Sequence, residues 1–178
     1  YVVKLPDALE LIARIRYHSA GFIAAIQRNE AFRMLEASES HLQRELQKAA
    51  DYVESLLNEP IEGLITTRWS FIPSASLGGD SFGYHWIDED RFAIYLLDVC
   101  GHGVGPALLS ISVINLIRSG FRDLEVIADP AAVTAQLNES FQMSDHGGMF
   151  FTLFYGVYDR RTNELTYCGG GHPPSLVI

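Results

Sequence analysis

The first third of the chain has a helical periodicity. Between Phe32 and Leu56, apolar residues recur at alternating steps of three and four, broken only at Glu39, with mixed charges between them. Such heptads are typical of a coiled coil. No proline occurs between Asp7 and Glu59, so we predict a nearly continuous helix that pairs with a second copy of the chain. The alternative is one amphipathic helix packed on its own domain. The apolar series is Phe32, Leu35, Leu42, Leu46, Ala49, Val53 and Leu56.

After Pro60 the pattern changes to short apolar runs bounded by turn residues, which are typical of strands. Gly105-Pro106 opens a helix that is apolar nearly all round, with the proline at its first position, and Asp129-Pro130 opens a second, amphipathic helix. Hairpin strands with inserted helices predict an α+β domain with a mostly antiparallel sheet. The predicted strands are Ile65–Phe71, Phe82–Ile87, Arg91–Asp98, Met149–Tyr158, Leu165–Cys168 and Ser175–Ile178.

Charge and composition narrow the classes of partner. The net charge of -9 argues against nucleic acid and against an anionic membrane surface, because both select basic patches. Cys100 and Cys168 form no disulfide or zinc pattern, and the longest uncharged run, 101–117, is interrupted by glycines and a proline. We therefore predict a cytoplasmic protein with no nucleic-acid or membrane partner.

One predicted hairpin brings two carboxylates together. If the turn is centred on Glu89, directly opposed residues have numbers that sum to 178, and Asp80 and Asp98 satisfy this condition. Two carboxylates about 5 Å apart at an effective dielectric near 20 repel by roughly 3 kcal/mol. The pair must therefore splay apart, share a proton or hold a cation. Oxygen ligands beside glycines, without paired cysteines, favour Mg²⁺ or Mn²⁺, while a solvated pair at a hairpin end stays the simple alternative.

Four motifs in order resemble one known family. They are Leu-Gly-Gly-Asp at 77–80, Leu-Asp-Val-Cys-Gly-His-Gly-Val-Gly-Pro-Ala-Leu at 97–108, Phe-Thr-Leu-Phe-Tyr-Gly at 151–156 and Gly-Gly-His-Pro-Pro at 170–174. Together they are similar to the bacterial metal-dependent protein phosphatases (PPM), in the branch of stage II sporulation protein E and the stress-response phosphatases. The resemblance covers residues 60–178.

The resemblance implies a fold, a metal site and a substrate. The fold would be an antiparallel β-sandwich flanked by helices. Asp80 would hold one Mn²⁺ or Mg²⁺ ion, Asp98 would bridge two ions, and the backbone carbonyl of Val99 would be a further ligand. Water activated by these ions would hydrolyse a phosphoserine or phosphothreonine on an anti-sigma-factor antagonist. The family's remaining aspartates lie beyond Ile178, so we expect little activity from residues 1–178 alone.

The residues before the long helix resemble the end of a response-regulator receiver domain. Tyr1-Val2-Val3 reads as its last strand, Lys4 as the lysine that would contact a phosphoryl-aspartate, and Asp7 as the N-cap of its final helix. We therefore expect a receiver remnant over 1–30, a coiled-coil linker helix over 31–58 and an incomplete PPM-type phosphatase domain over 59–178. Receiver phosphorylation would then act on the phosphatase through the helix pairing.

Several other side chains near these motifs have simpler interpretations. His102 reads as a loop histidine, because its spacing from Asp98 does not match that of a general acid. His172 reads as a turn residue closing a hairpin, and Cys100 as a small residue of a tight loop. Asp145 and His146 lie in a glycine-rich loop, and the sequence does not favour a ligand role for them over a structural one.

Two rival functions remain. Gly-Gly-Asp-Ser-Phe at 79–83 partly matches the diguanylate cyclase motif, but the second aspartate and the glycine-rich loop follow it here, and Ser81 replaces an acidic residue. A phosphatase-like module that binds a partner and dimerises without catalysis is the second rival. Metal affinity separates it from an enzyme.

Overall fold

The computed structural model describes residues 7–72, 77–121 and 123–176. The chain divides into two compact units, one ending at Glu45 and the other beginning at Leu46. The predicted strand at residues 1–3 and Lys4 lie outside the described residues. In chain order the elements are α1 (Ala8–Ser55), β1 (Ser81–Trp86), β2 (Arg91–Val99), α2 (Val104–Asn115) with a π-helical turn (Leu116–Gly120), α3 (Leu124–Ala128), α4 (Pro130–Ser140), a 3-10 turn (Met143–His146), β3 (Phe151–Asp159) and β4 (Glu164–Gly170).

The predicted long helix is present as α1, which contains 48 residues. The carbonyl oxygen of Asp7 accepts the first helical hydrogen bond, from Leu11 N at 2.9 Å, so Asp7 is the N-cap residue as predicted. Glu10 and Arg14 form an ion pair one turn apart, at 2.7 Å. None of the residues of α1 is buried.

Arg118 helps to bond the segment that follows α1 to the sheet and its helices. The guanidinium of Arg118, in the π-helical turn, donates to the carbonyl oxygen of Leu56 at 2.9 Å and to the side chain of Asn58. Its Nε donates to the buried Tyr95 hydroxyl at 3.2 Å. None of the described helices is both long and apolar enough to cross a lipid bilayer.

Four antiparallel strands form one sheet in the order β1-β2-β3-β4. Ser81 pairs with Leu97 and Trp86 with Phe92, so the numbers of opposed residues sum to 178, which confirms the predicted hairpin register. Asp88 fixes the turn by accepting hydrogen bonds from the main-chain N–H groups of Asp90 and Arg91. These bonds, with the Arg91 guanidinium, lower the pKa of Asp88 to about 2.

One face of the sheet is covered by helices and forms the core. Alternate residues of β2 point into this face and are almost completely buried, and α2 and α4 cover them with apolar side chains. The rings of Tyr95 and Tyr155 stack at its centre, with centroids 6.0 Å apart. Further core residues are Ala93, Leu97, Val99, Leu109, Val113, Ile114, Ile117, Val133, Leu137, Leu153 and Val157.

The opposite face of the sheet is apolar and partly open. Phe92 and Phe154 are buried there, whereas Trp86, Leu96 and Leu165 keep 37%, 38% and 40% of their surface exposed. An open cleft of about 650 Å³ lies between this face and the segment 64–70. The residues that the structure describes contain this one sheet, so a single layer of the expected sandwich is visible, and the α+β class is confirmed.

Three of the predicted elements differ in the structure. Ile65–Phe71 is irregular rather than a strand, because Thr67 bonds back to Ile61 through both its main chain and its hydroxyl, which closes a local loop. α2 begins at Val104, so Pro106 is its third residue and not its first. A missing N–H costs nothing in the first turn, where those groups have no helical partner. Residues 175 and 176 form no strand, and 177–178 lie outside the described residues.

Candidate functional site

The two predicted carboxylates lie opposite each other at one end of the β1–β2 ribbon. Asp80 precedes β1 by one residue, and Asp98 is the penultimate residue of β2. A main-chain hydrogen bond from Val99 N to the carbonyl oxygen of Gly79, 3.4 Å long, extends the ladder beyond them in the same register. The pairing expected from the sequence is therefore present, without a bulge.

Both carboxylates are exposed on the face of β2 that the helices do not cover, whereas the side chains of Leu97 and Val99 are buried on the other face. Partial loss of hydration raises the pKa of Asp80, and the negative charge of Asp98 and a hydrogen bond with it raise that pKa further. Each of these effects favours the protonated form of Asp80 when no cation is present. A divalent cation would occupy the same position more favourably, because it neutralises both charges.

The backbone around the pair is tightly packed because of a glycine. A Cβ atom at Gly79 would stand 2.4 Å from the carbonyl oxygen of Val99 and 3.2 Å from Cβ of Pro106. This close approach places the Val99 carbonyl against Gly79, the residue directly before Asp80. Gly78 is different, since a Cβ atom there would meet nothing closer than 3.9 Å.

We expect Gly79→Ala to disturb the site and Gly78→Ala to leave it intact. The added methyl group at 79 must displace main-chain atoms, and such overpacking typically costs about 1–3 kcal/mol. Chemical denaturation should show a loss of stability in this range for Gly79→Ala, together with weaker Mn²⁺ binding in calorimetry. Equal behaviour of the two variants would contradict the close approach.

The loop after Asp98 is joined to both neighbouring segments. Gly103 donates its N–H to the carbonyl oxygen of Leu77 at 2.8 Å, and its φ of 96° places it in a region that favours glycine. The main-chain N–H of Cys100 donates to the carbonyl oxygen of Phe150 at 2.9 Å, and the N–H of Phe150 donates to the Sγ atom of Cys100 at 3.3 Å. Cys100 is therefore a fixed small residue of the loop, as its sequence context indicated.

A threonine and a histidine extend the carboxylate pair across the sheet. Thr152 of β3 is the direct partner of Asp98 in the β2–β3 register. The Oγ1 atom of Thr152 lies 2.9 Å from Nδ1 of His172, and the positive charge of His172 opposes the rise in the pKa of Asp80. His172 does not close a hairpin between the described strands; it follows β4 and turns back towards β3 through a bridge between Leu153 and Gly171.

The remaining candidates make local contacts. His102 is exposed, and its main chain bridges to Gly78. Asp145 accepts a hydrogen bond from the hydroxyl of Ser144 at 3.0 Å. The ring of His146 packs on Phe141, with centroids 5.4 Å apart. These contacts give no reason to assign His102, Asp145 or His146 to a metal.

The donor set fits a hard divalent cation. Carboxylate and main-chain oxygens are the ligands that Mg²⁺ and Mn²⁺ prefer. Within residues 7–72, 77–121 and 123–176, no group of three or more His, Cys, Asp and Glu side chains could hold a metal ion. A cation held by Asp80 and Asp98 would therefore need further ligands from main-chain carbonyls, water or groups outside these residues.

Comparison with known proteins gives consistent relatives. A family model described as Stage II sporulation protein E (SpoIIE) matches residues 88–178. The chain is 32% identical over 138 residues to the phosphoserine phosphatase RsbP of Bacillus subtilis and 27% identical over 159 residues to the phosphoserine phosphatase RsbU of the same organism. These matches include 75% and 88% of this chain but only 34% and 45% of the relatives, so the chain spans less than half of their length.

A solved structure supports the fold. The SiaA-PP2C domain of Pseudomonas aeruginosa superimposes with a TM-score of 0.57 at 20% identity, covering 75% of this chain and 54% of that domain. At this identity the likeness concerns the fold alone, and it agrees with an antiparallel sheet flanked by helices.

Proposed function

This chain belongs to the stage II sporulation protein E (SpoIIE) family, whose relatives include phosphoserine phosphatases, and we propose that it is the catalytic portion of a metal-dependent serine/threonine protein phosphatase. The observation that carries the proposal is the opposed pair Asp80 and Asp98 at the open end of the β1–β2 ribbon. Within the described residues the charge of His172 opposes the rise in the pKa of Asp80 only in part, whereas a bound cation would neutralise both carboxylates.

In the proposed site the carboxylates of Asp80 and Asp98 and the main-chain carbonyl of Val99 would hold two divalent cations. When bound, Mn²⁺ or Mg²⁺ ions would supply a water molecule of lowered pKa and the positive charge that phosphoryl oxygens need. The chain's own contribution is to hold the carboxylates apart at a fixed strand spacing on a rigid sheet. The glycine loop keeps larger side chains away from the backbone on that side.

The proposed substrate is a phosphorylated serine or threonine of another protein. The name of each of the two Bacillus relatives describes a phosphoserine phosphatase. The chain has a net charge of -9, so a dianionic phosphoryl group would be repelled unless cations bound first. By resemblance, the physiological substrate would be an anti-sigma-factor antagonist, and the protein would act in the cytoplasm.

We further propose that residues 31–58, which include the C-terminal half of α1, form a linker that pairs two copies of the chain. Phe32, Leu35 and Leu42 keep 57%, 54% and 59% of their surface exposed, although they share one heptad seam. A second helix would cover them. In this proposal residues 1–30 are the end of a receiver domain, 31–58 the linker and 59–178 the phosphatase domain, and receiver phosphorylation alters the pairing.

A non-catalytic binding module is the second candidate. It is favoured by the lack of a third acidic or histidine ligand beside Asp80 and Asp98 among the described residues. Such a module would dimerise and bind a partner without hydrolysing phosphate. Its affinity for Mn²⁺ would be negligible.

Hydrolysis of a phosphoserine peptide by the natural full-length protein tests the proposal. The enzyme should release phosphate with Mn²⁺ or Mg²⁺ present and stop when EDTA is added, with activity returning on re-addition of metal. If the full-length protein binds Mn²⁺ tightly and yet releases no phosphate from any phosphoserine or phosphothreonine peptide, the phosphatase proposal fails. If Mn²⁺ does not bind either, the binding module is supported.

A further inference from the structure

Four polar side chains form a row at one end of the sheet, and the proposed metal site uses two of them. Asp80, directly before β1, lies opposite Asp98 of β2, and Asp98 pairs with Thr152 of β3, so the three side chains project from the same face. Neighbouring strands are about 4.8 Å apart, which places Thr152 next to Asp98 on the side away from Asp80. His172 follows β4 and completes the row.

The imidazole of His172 is held in place from two directions. Its Nδ1 atom lies 2.9 Å from the Oγ1 atom of Thr152. Gly171, with a φ of 73°, bridges to Leu153 and so turns the chain back towards β3 directly before the histidine. The ring is half-buried, and in the described part of the chain its Nε2 atom has no hydrogen-bond partner.

Charge and hydrogen-bonding chemistry give the ring a use. The imidazole lies beside the carboxylate pair, because its neighbour Thr152 is the cross-strand partner of Asp98. When the Thr152 hydroxyl donates to Nδ1, the Nε2 atom carries the proton and is a donor. An N–H donor beside two carboxylates suits an anion that arrives after the cations, and a phosphoryl group has three acceptor oxygens for it.

Resting on the proposed phosphatase function, we propose that His172 is the substrate-contacting residue of this site. Its Nε2–H group donates a hydrogen bond to the phosphoryl group of the bound phosphoserine. Thr152 is a positioning residue, which fixes the imidazole by donating to Nδ1. His172 and Thr152 together would add binding energy for the phosphoryl group without holding a metal.

The test uses the natural full-length protein with His172→Ala, Thr152→Val and Thr152→Ser. His41→Gln on α1 and Thr162→Val in the β3–β4 turn are matched controls, because both residues are exposed and lie outside the row. Three quantities are measured for each: Mn²⁺ affinity by calorimetry, KM and kcat for a phosphoserine peptide, and the inhibition constant of inorganic phosphate.

For His172→Ala we expect KM and the phosphate inhibition constant to rise about 10–100-fold, the range for losing a hydrogen bond to a charged group. Mn²⁺ affinity should stay within about threefold of wild type, since no metal ligand is removed. Thr152→Val should show a smaller rise in KM and in the phosphate inhibition constant. Thr152→Ser should have wild-type values because it keeps the hydroxyl.

Two outcomes would overturn this inference alone. In the first, the wild type is active and the His172→Ala and Thr152→Val variants bind phosphate normally. In the second, both variants lose Mn²⁺ affinity in parallel, which would assign His172 and Thr152 to the metal site. If His172→Ala does not fold, the Val and Ser variants of Thr152 decide the question by the same readouts. A wild-type protein that neither binds Mn²⁺ nor hydrolyses the peptide would remove the proposed function and this inference together.

Discussion

Replacing Asp98 by asparagine should abolish metal-dependent hydrolysis while making the metal-free protein slightly more stable. The two effects have one cause. Without metal, Asp98 repels Asp80 directly across the ribbon, and it contributes to the raised pKa of that neighbour. Because both groups are exposed, the repulsion is screened, and its removal should raise the free energy of unfolding by only about 1 kcal/mol.

When metal is present, the Asp98→Asn substitution should be harmful rather than stabilising. Asp98 is a proposed metal ligand, and a bound cation contributes several kcal/mol of charge stabilisation in the transition state, which corresponds to about three orders of magnitude in rate. We therefore expect kcat/KM of Asp98→Asn to fall about 10³-fold or more. Thermal unfolding should show that Mn²⁺ stabilises the wild type and not the variant.

Glu89→Gln is the matched control for Asp98→Asn. Glu89 is exposed at the tip of the same hairpin, and its substitution removes the same single charge. This variant should keep the response of the wild type to Mn²⁺. If Asp98→Asn destabilised the metal-free protein and kept its Mn²⁺ response, the carboxylate pair would not be a metal site.

A single charge placed in the seam of α1 should separate the paired chains. Leu35 and Leu42 are half-exposed or more in one chain, and a second helix would bury them. Leu35→Glu would then bury an unpaired carboxylate twice in a symmetric dimer, at a cost of several kcal/mol. The dissociation constant should rise by at least about 10²–10³-fold, and sedimentation should report a monomer at concentrations where the wild type is a dimer.

Met34→Glu is the control for this prediction, because Met34 is apolar and exposed but lies outside the seam. It should remain a dimer. Identical masses for Leu35→Glu and the wild type, with helicity unchanged, would show that this heptad series does not pair the chains. The single amphipathic helix considered from the sequence would then be the better account of α1.

The carboxylate pair was predictable from the sequence because its geometry is local. The β1–β2 turn is short, so counting outward from Glu89 fixes which residues oppose each other. The N-cap at Asp129 and the long helix were predictable for the same reason, since their signals lie within a few residues of the element. Asp129 accepts hydrogen bonds from Ala131 N and Ala132 N, which is the contact its residue type favours.

Thr152 and His172 were not predicted as site residues, because their place in the row depends on contacts between residues that are distant in the sequence. Thr152 meets Asp98 only through the β2–β3 register, and more than 50 residues separate the two strands. No turn geometry fixes that register from the sequence. The hydroxyl at 152 in an otherwise apolar strand was a signal, and so was a histidine directly after three glycines. The segment from Ile65 was predicted as a strand because its composition suits one. In the structure Thr67 instead forms hydrogen bonds with Ile61, which closes a local loop.

Crystals of the full-length protein grown with Mn²⁺ and measured for anomalous scattering give the most direct test of the central claim. We predict anomalous density within about 2.0–2.6 Å of carboxylate oxygens of both Asp80 and Asp98. Density bound elsewhere, with these two side chains turned away from each other into solvent, would contradict the assignment of this pair as the metal centre.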